Sequence, residues 1–463
     1  MLNNLKFNGI VCINQEFVCE MLRTSTIFCN FTPRITQYIM KKNLFRTVFI
    51  ILAVASAVSA CVRDTFRYYG YEDQLEGIFP VDSIESGHTW TLTNTYSSFV
   101  RGVNGASKLQ ILSGNPFNAT DVEILAEAST TSGEGRQLNY VLPQAKSQIY
   151  AAALDADGNY MRIVSASANQ DAINLGSTVP TGTPNSVSLQ RIFYCFEAEY
   201  PNPGDWDYND VVLSVTKEIN ANDNEVVDLH VTLHAVGYLS QIAAAIRLVG
   251  YQNSQVTISR DEASTFVREP DRERVLIPQT ETQLEGLTGH AVINLFDDAH
   301  LAMYHLLSDG TVGRYYFNTI ENPNNTNGGA VQPAVTVTYH IDFKDAYQAR
   351  NFTLAEIDPF IVVQYGTSGS NYWEVHTHPY KLTEILYNYY NGAAQSYNNG
   401  FSWALAIPYA KFRYPLEGQT IGERKNTIVA GAYQESGHSF GEWILNHTRA
   451  QDWYLYPADG AVY

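Results

Sequence analysis

The stretch VVDLHVTLHAV, Val226–Val236, decides the fold. Val227, Leu229, Val231, Leu233 and Ala235 alternate with Asp228, His230, Thr232 and His234. On an extended backbone the apolar set lines one face and the polar set the other, the mark of a strand buried on one side. AVTVTYHIDF, residues 334–343, repeats the pattern, with Val335, Val337, Tyr339, Ile341 and Phe343 opposite Thr336, Thr338, His340 and Asp342. Two such strands need a facing apolar layer, which predicts a β-sandwich.

The same grammar runs upstream in shorter pieces. HTWTLTN (88–94), SKLQILS (107–113), DVEILAEA (121–128), RQLNYVLP (136–143), SQIYAAALD (147–155) and YMRIVSAS (160–167) are strand-length and bounded by Gly, Asn, Asp or Pro. They predict a first antiparallel sandwich over residues 87–176. Asp155-x-Asp157-x-Asn159 has calcium-loop spacing, but Asp157-Gly158 between two strand patterns reads as a hairpin turn. The Ser/Thr/Pro/Gly-rich run GSTVPTGTPNSVSLQ (176–190) marks the boundary to a second β-rich domain over 191–463. Helical periodicity is confined to LTEILYNYYNGAA (382–394) and SFGEWILNH (439–447), where short surface helices are expected. The expected class is mostly β: two antiparallel β-sandwich-like domains with a few short helices.

The chain has 463 residues, with 29 basic against 47 acidic ones and a formal charge of −18. Without residues 1–60 the balance becomes 23 against 45, or −22. Such a surface repels phosphate backbones, which argues against nucleic-acid partners and favours divalent cations. MKKNLFRTVFIILAVASAVSAC (40–61) has a basic head, a short apolar core and small residues before Cys61. It reads as a secretory signal of lipoprotein type, so Cys61 is expected to carry lipid and anchor the protein in the cell envelope, as an outer-membrane lipoprotein on the periplasmic face or the cell surface. Residues 1–39 then precede the natural start, and residues 61–86 form a tether. Cys12, Cys19 and Cys29 lie ahead of the signal, so Cys195 is left without an intramolecular disulfide partner.

FEAEYPNPGDWDYNDVVLSV (196–215) crowds Glu197, Glu199, Asp205, Asp207, Asn209 and Asp210 against the start of an apolar strand. If the DWDYND segment is extended, Asp205, Asp207 and Asn209 project to one side and Trp206 and Tyr208 to the other. Converging oxygen ligands suit a hard cation such as calcium. An EF-hand is excluded, because the sixth loop position is Asp210 and the twelfth Thr216. Two carboxylates 5 Å apart repel by roughly 3 kcal/mol at an effective dielectric of 20 but by under ~1 kcal/mol in water, so burial decides whether a cation is needed. A turn whose carboxylates satisfy backbone amides is the alternative, and Asp210 is assigned that role in either case. Catalysis has no partner group nearby to support it. His376-x-His378 lacks a third ligand at fixed spacing and reads as a polar strand end. The aromatic runs FRYYGYED, YNYYNG and QDWYLYP suit either sugar stacking or packing at sheet edges.

Taken in order, Phe196-Glu197, Asp205–Val212 (DWDYNDVV), Phe317–Thr319 (FNT), Asp358–Val362 (DPFIV), Glu374–His376 (EVH), Trp403–Pro408 (WALAIP), Phe412–Glu417 (FRYPLE) and Asp452–Tyr454 (DWY) form one series. In that series the chain resembles the LruC-domain family of bacterial envelope lipoproteins, known largely from Bacteroidetes, over residues 191–463. It departs from the pattern after His376, where Thr377 follows and the stretch up to Phe401 is short. The resemblance implies a β-rich envelope protein without an established enzymatic activity, whose acidic motif is similar to calcium-binding loops of exported domains. The expected function is therefore a non-enzymatic structural or binding role, with calcium held by Glu197, Asp205, Asp207 and Asn209 beside Asp210. A glycan-binding or adhesion module is the alternative.

Overall fold

A computed structural model describes residues 84–463 except 200–203, 262–265, 267–275, 278–280, 287–288, 304–309, 311–312, 321–328, 366–370, 378–401 and 423–430. The proposed signal and Cys61, the residues FRYYGYED and YNYYNG, His378 and the expected helix at 382–394 lie outside the described residues.

Strands β1 (Thr93–Val100), β2 (Lys108–Leu112), β3 (Val122–Ser129), β4 (Arg136–Pro143), β5 (Gln148–Leu154), β6 (Tyr160–Ser167), β7 (Ala172–Ile173) and β8 (Val187–Leu189) make two sheets. Their orders are β6-β5-β2-β3-β8 and β4-β1-β7. Leu109, Ile111, Leu138, Tyr140, Leu142 and Ile149 meet in the core these sheets share. The Asp155–Asn159 turn does join β5 to β6, with Asp155 Oδ1 accepting from the amides of Asp157 (3.0 Å) and Asn159 (2.9 Å). Two expectations shift. Strand β1 starts at Thr93 and not at His88, because His88 and Trp90 pack on Trp443 with ring centroids 4.6 and 5.7 Å away. The run after Gly176 is not all linker, since β8 pairs in parallel with β3.

Strands β9 (Arg191–Phe196), β10 (Val211–Ile219), β11 (Val226–Ala235), β12 (Ile242–Gln252), β13 (Thr257–Arg260), β14 (Gln283–Glu285), β15 (His290–Phe296), β16 (Tyr316–Phe317), β17 (Gly329–Ala330), β18 (Val335–Asp342), β19 (Ile357–Tyr365), β20 (Asn371–His376) and β21 (Ala404–Ile407) follow. They form a six-stranded sheet β13-β18-β11-β10-β9-β21, a five-stranded sheet β14-β15-β12-β19-β20 and a small β16-β17 pair. The opening stretch is β11. Its Val227, Leu229 and Val231 lie opposite Ile341, Tyr339 and Val337 of β18. All six are buried in one core with Ile246, Ile293 and Ile361 of the other sheet. Burying each such side chain contributes ~1.5–3 kcal/mol, so the alternation fixes both face and register. The fold is mostly β, built of antiparallel sheets packed as sandwiches, with short helices at Ala299–Ala302, Ala346–Asn351 and Phe440–Leu445 among the described residues.

The helix Phe440–Leu445 is a correction in environment: Phe440, Trp443 and Ile444 are buried, so it belongs to the core and not the surface. Ser439 starts it with a capping box to Glu442. Strand β9 lies between β10 and β21, and the acidic loop closes the β9–β10 end of that trio. Cys195, on β9, is a buried free thiol pushed upward in pKa by burial.

Candidate metal centre

The DWDYND segment, residues 205–210, is not extended, contrary to the expected side-to-side projection. Trp206 and Tyr208 have φ of 62° and 54°, in the left-handed region that costs a bulky residue roughly 1–3 kcal/mol. Both aromatic side chains are fully buried, and burial outweighs that strain. Trp206 packs at a tilt against Trp403, ring centroids 4.9 Å apart, and Tyr208 donates its hydroxyl to Ser402 O at 2.7 Å. The loop therefore coils, and its carboxylates turn inward.

Glu197, Asp205 and Asp207 converge: one carboxylate oxygen from each lies within 4.8 Å of the others. Calcium binds oxygens at about 2.3–2.6 Å, so ligands across the ion stand up to about 5 Å apart, and the set has the right size. Glu197 is fully buried, and Asp207 is 1% exposed. Backbone amides answer part of this charge. Tyr208 N donates to Glu197 Oε1 (2.7 Å), Asn209 N to Asp207 Oδ1 (3.1 Å) and Gly418 N to Asp207 Oδ2 (2.8 Å). Asp210 takes the expected turn role, its Oδ2 accepting from Ala198 N. Asn209 is held by Nδ2 donation to Pro415 O at 3.1 Å, while its Oδ1 lies against Gly237.

Two side-chain oxygens of the loop are left over, Glu197 Oε2 and Asn209 Oδ1. Glu197 Oε2 is buried without a hydrogen-bond partner, and it abuts Gly204, next to Asp205. Leaving such an acceptor unanswered costs about 1–3 kcal/mol, and more if charged. Burial drives the pKa of Glu197, Asp207 and Asp210 well above the carboxylate range, and their mutual repulsion, with Asp205, adds to it. Glu417 is pushed up to about 8, chiefly by burial and then by Asp205. Such a group holds protons at neutral pH or exchanges them for a cation.

Local sequence reasoning did not single out Glu417 as part of this cluster. Its signal was its place in the FRYPLE segment of the ordered motif series. Thr319, from FNT, donates to Glu417 Oε2 at 3.2 Å. Another site differs from expectation. His376 is not a polar strand end but is fully enclosed, its Nδ1 2.7 Å from Asp358 Oδ2 and its Nε2 3.0 Å from Glu374 Oε2. Arg247 Nη2 also donates to Asp358 Oδ2, at 2.7 Å. Of QDWYLYP, Trp453 and Tyr454 are core residues, and Tyr456 is 38% exposed and stacked on His438 at 4.0 Å.

Residues 224–454 match a family described as a domain of unknown function (DUF4842). The matched span begins after the acidic loop and includes Glu417 and the His376 group. No curated protein and no solved structure matches the chain.

Proposed function

We propose that this protein is a lipid-anchored, non-enzymatic component of the cell envelope whose acidic loop is stabilised by calcium. Glu197, Asp205 and Asp207 supply the ligands, and the lipid sits on Cys61. The observation that carries the metal reading is the partnerless, buried Oε2 of Glu197 within a cluster of carboxylates of cation-binding size. The ion would staple the entry to β10 in a chain whose Cys195 is a free thiol. The signal-like segment 40–61 supports the anchor.

Thermal unfolding of the purified protein in calcium against chelator tests the site. At a hundredfold excess over Kd, one bound ion adds about 2.7 kcal/mol, and the double substitution Asp205→Ala/Asp207→Ala should abolish the difference. An unchanged midpoint in the unsubstituted protein would sink the metal reading. Mass spectrometry of the mature protein tests the anchor, where an unmodified Cys61 counts against it. A glycan array separates the scaffold from an adhesion module, for which binding should be reproducible.

A further inference from the structure

The acidic loop does not stand alone. Three of its residues are held by one turn of the C-terminal segment: Ile421 N donates to Trp206 O (2.7 Å), Gly418 N to Asp207 Oδ2 (2.8 Å) and Asn209 Nδ2 to Pro415 O (3.1 Å). Glu417 sits in the middle of that turn. Its backbone N donates to Thr319 O at 2.8 Å, and the Thr319 hydroxyl donates to its Oε2 at 3.2 Å, so the side chain is tied on one edge. The next residue is already at the cluster, since a Cβ on Gly418 would stand 3.9 Å from Asp205 Oδ2.

Coordination chemistry asks for something more at this place. Calcium takes about 6–8 oxygens. Glu197 Oε1 and both oxygens of Asp207 already accept amide hydrogen bonds, which limits how freely these groups can turn to coordinate an ion. Glu197 Oε2 and Asn209 Oδ1 are buried and unpartnered, so the cluster has acceptors that its amides do not answer. A further anionic oxygen from the facing turn is the economical way to complete the shell.

We propose that Glu417 is an additional ligand of this cation, so that the ion clasps the C-terminal turn 415–421 to the β9–β10 loop; this rests on the calcium reading above. The ion then joins Asp207 to a residue 210 positions later in the chain. Binding closes that long loop as a cross-link would, and the C-terminal segment becomes the part whose docking depends on calcium. Thr319 acts as the positioning residue, since it holds Glu417 through its hydroxyl and main-chain carbonyl.

The test uses the full chain, with calcium titrated by calorimetry and with terbium luminescence, which the buried Trp206 beside the site can sensitise. Limited proteolysis in calcium and in chelator is read for cleavage after Ser402. Glu417→Gln should weaken calcium binding by roughly tenfold or more, and Thr319→Val, which removes an outer partner, by about tenfold. Glu134→Gln, an exposed carboxylate in the first sandwich, should change neither affinity nor cleavage. Calcium should slow C-terminal cleavage in the parent but not in Glu417→Gln. If the parent binds calcium and Glu417→Gln binds it equally well, the clasp is wrong and the three-residue site stands. If the parent binds no calcium, both readings fall. Should Glu417→Gln prove unfolded by circular dichroism, Thr319→Val decides, and parental affinity in that variant overturns the clasp.

Discussion

A Cβ added to Gly204 would stand 2.0 Å from Glu197 Oε2. The carboxylate of one residue thus occupies the space that any side chain at the other would need. Glu197 cannot simply swing aside, because its Oε1 is bonded to Tyr208 N and the residue is fully buried. Gly204→Ala should therefore destabilise by about 1–3 kcal/mol through overpacking. It should also weaken the proposed calcium binding, because it displaces Glu197, one of the proposed ligands. Thermal melts with and without calcium check both effects; an unaltered melt and affinity would show that the loop yields freely.

The carboxylates set a pH dependence with a definite sign. Glu197, Asp207, Asp210 and Glu417 all have pKa values raised by the fold, so the folded state retains protons that the unfolded chain has released. Stability then falls as pH rises, beginning near the ordinary carboxylate values and continuing through the Glu417 value of about 8. In chelator the midpoint should decline over that window. On the calcium reading proposed above, the ion would replace the protons and flatten the slope. Parallel profiles in calcium and chelator would mean that no ion answers these groups.

Gly237 offers a contrast. A Cβ there would stand 1.9 Å from Asn209 Oδ1 and 2.8 Å from its main-chain O. The second contact is backbone and cannot rotate away. Gly237→Ala should destabilise by at least about 1–3 kcal/mol in calcium and chelator alike, because it distorts the loop and not only a ligand. Urea unfolding in both buffers measures this, and a loss confined to calcium would instead place Asn209 in the coordination shell.

The parts of the fold legible in the sequence were those governed by local periodicity. Val227 to Ala235 alternate because one face of β11 is buried, and no distant information is needed to see it. The residue types of the acidic loop were legible for the same reason. Its shape was not: the aromatic-polar alternation of DWDYND mimics a strand, whereas Trp206 and Tyr208 bend into left-handed backbone to reach a core supplied by Trp403 and Phe440. Glu417 and Thr319 were invisible as site residues because their proximity is created by tertiary contacts across 98 positions and beyond. His376 was misread because a polar residue near a strand end ordinarily meets water, and here it meets Asp358 from the neighbouring strand.

That histidine carries the last expected outcome. Both ring nitrogens face carboxylates, Asp358 at 2.7 Å and Glu374 at 3.0 Å. A neutral imidazole has only one N–H, so with both acids ionised the ring must be imidazolium to donate twice. Burial pulls its pKa down, but Asp358 and then Glu374 outweigh burial and the net shift is upward from 6.5. A raised histidine pKa stabilises the fold fully below 6.5 and loses that contribution as pH rises through the folded value. In saturating calcium, where the proposed ion would suppress the carboxylate slope, the parent should still lose stability on the alkaline side. His376→Gln should lower stability at pH 6 by about 3–5 kcal/mol, the cost of stripping one partner from a buried charge group. It should also remove the alkaline decline. Urea melts of both proteins from pH 6 to 9 are the measurement, and two curves of equal slope would show that His376 holds no proton of consequence.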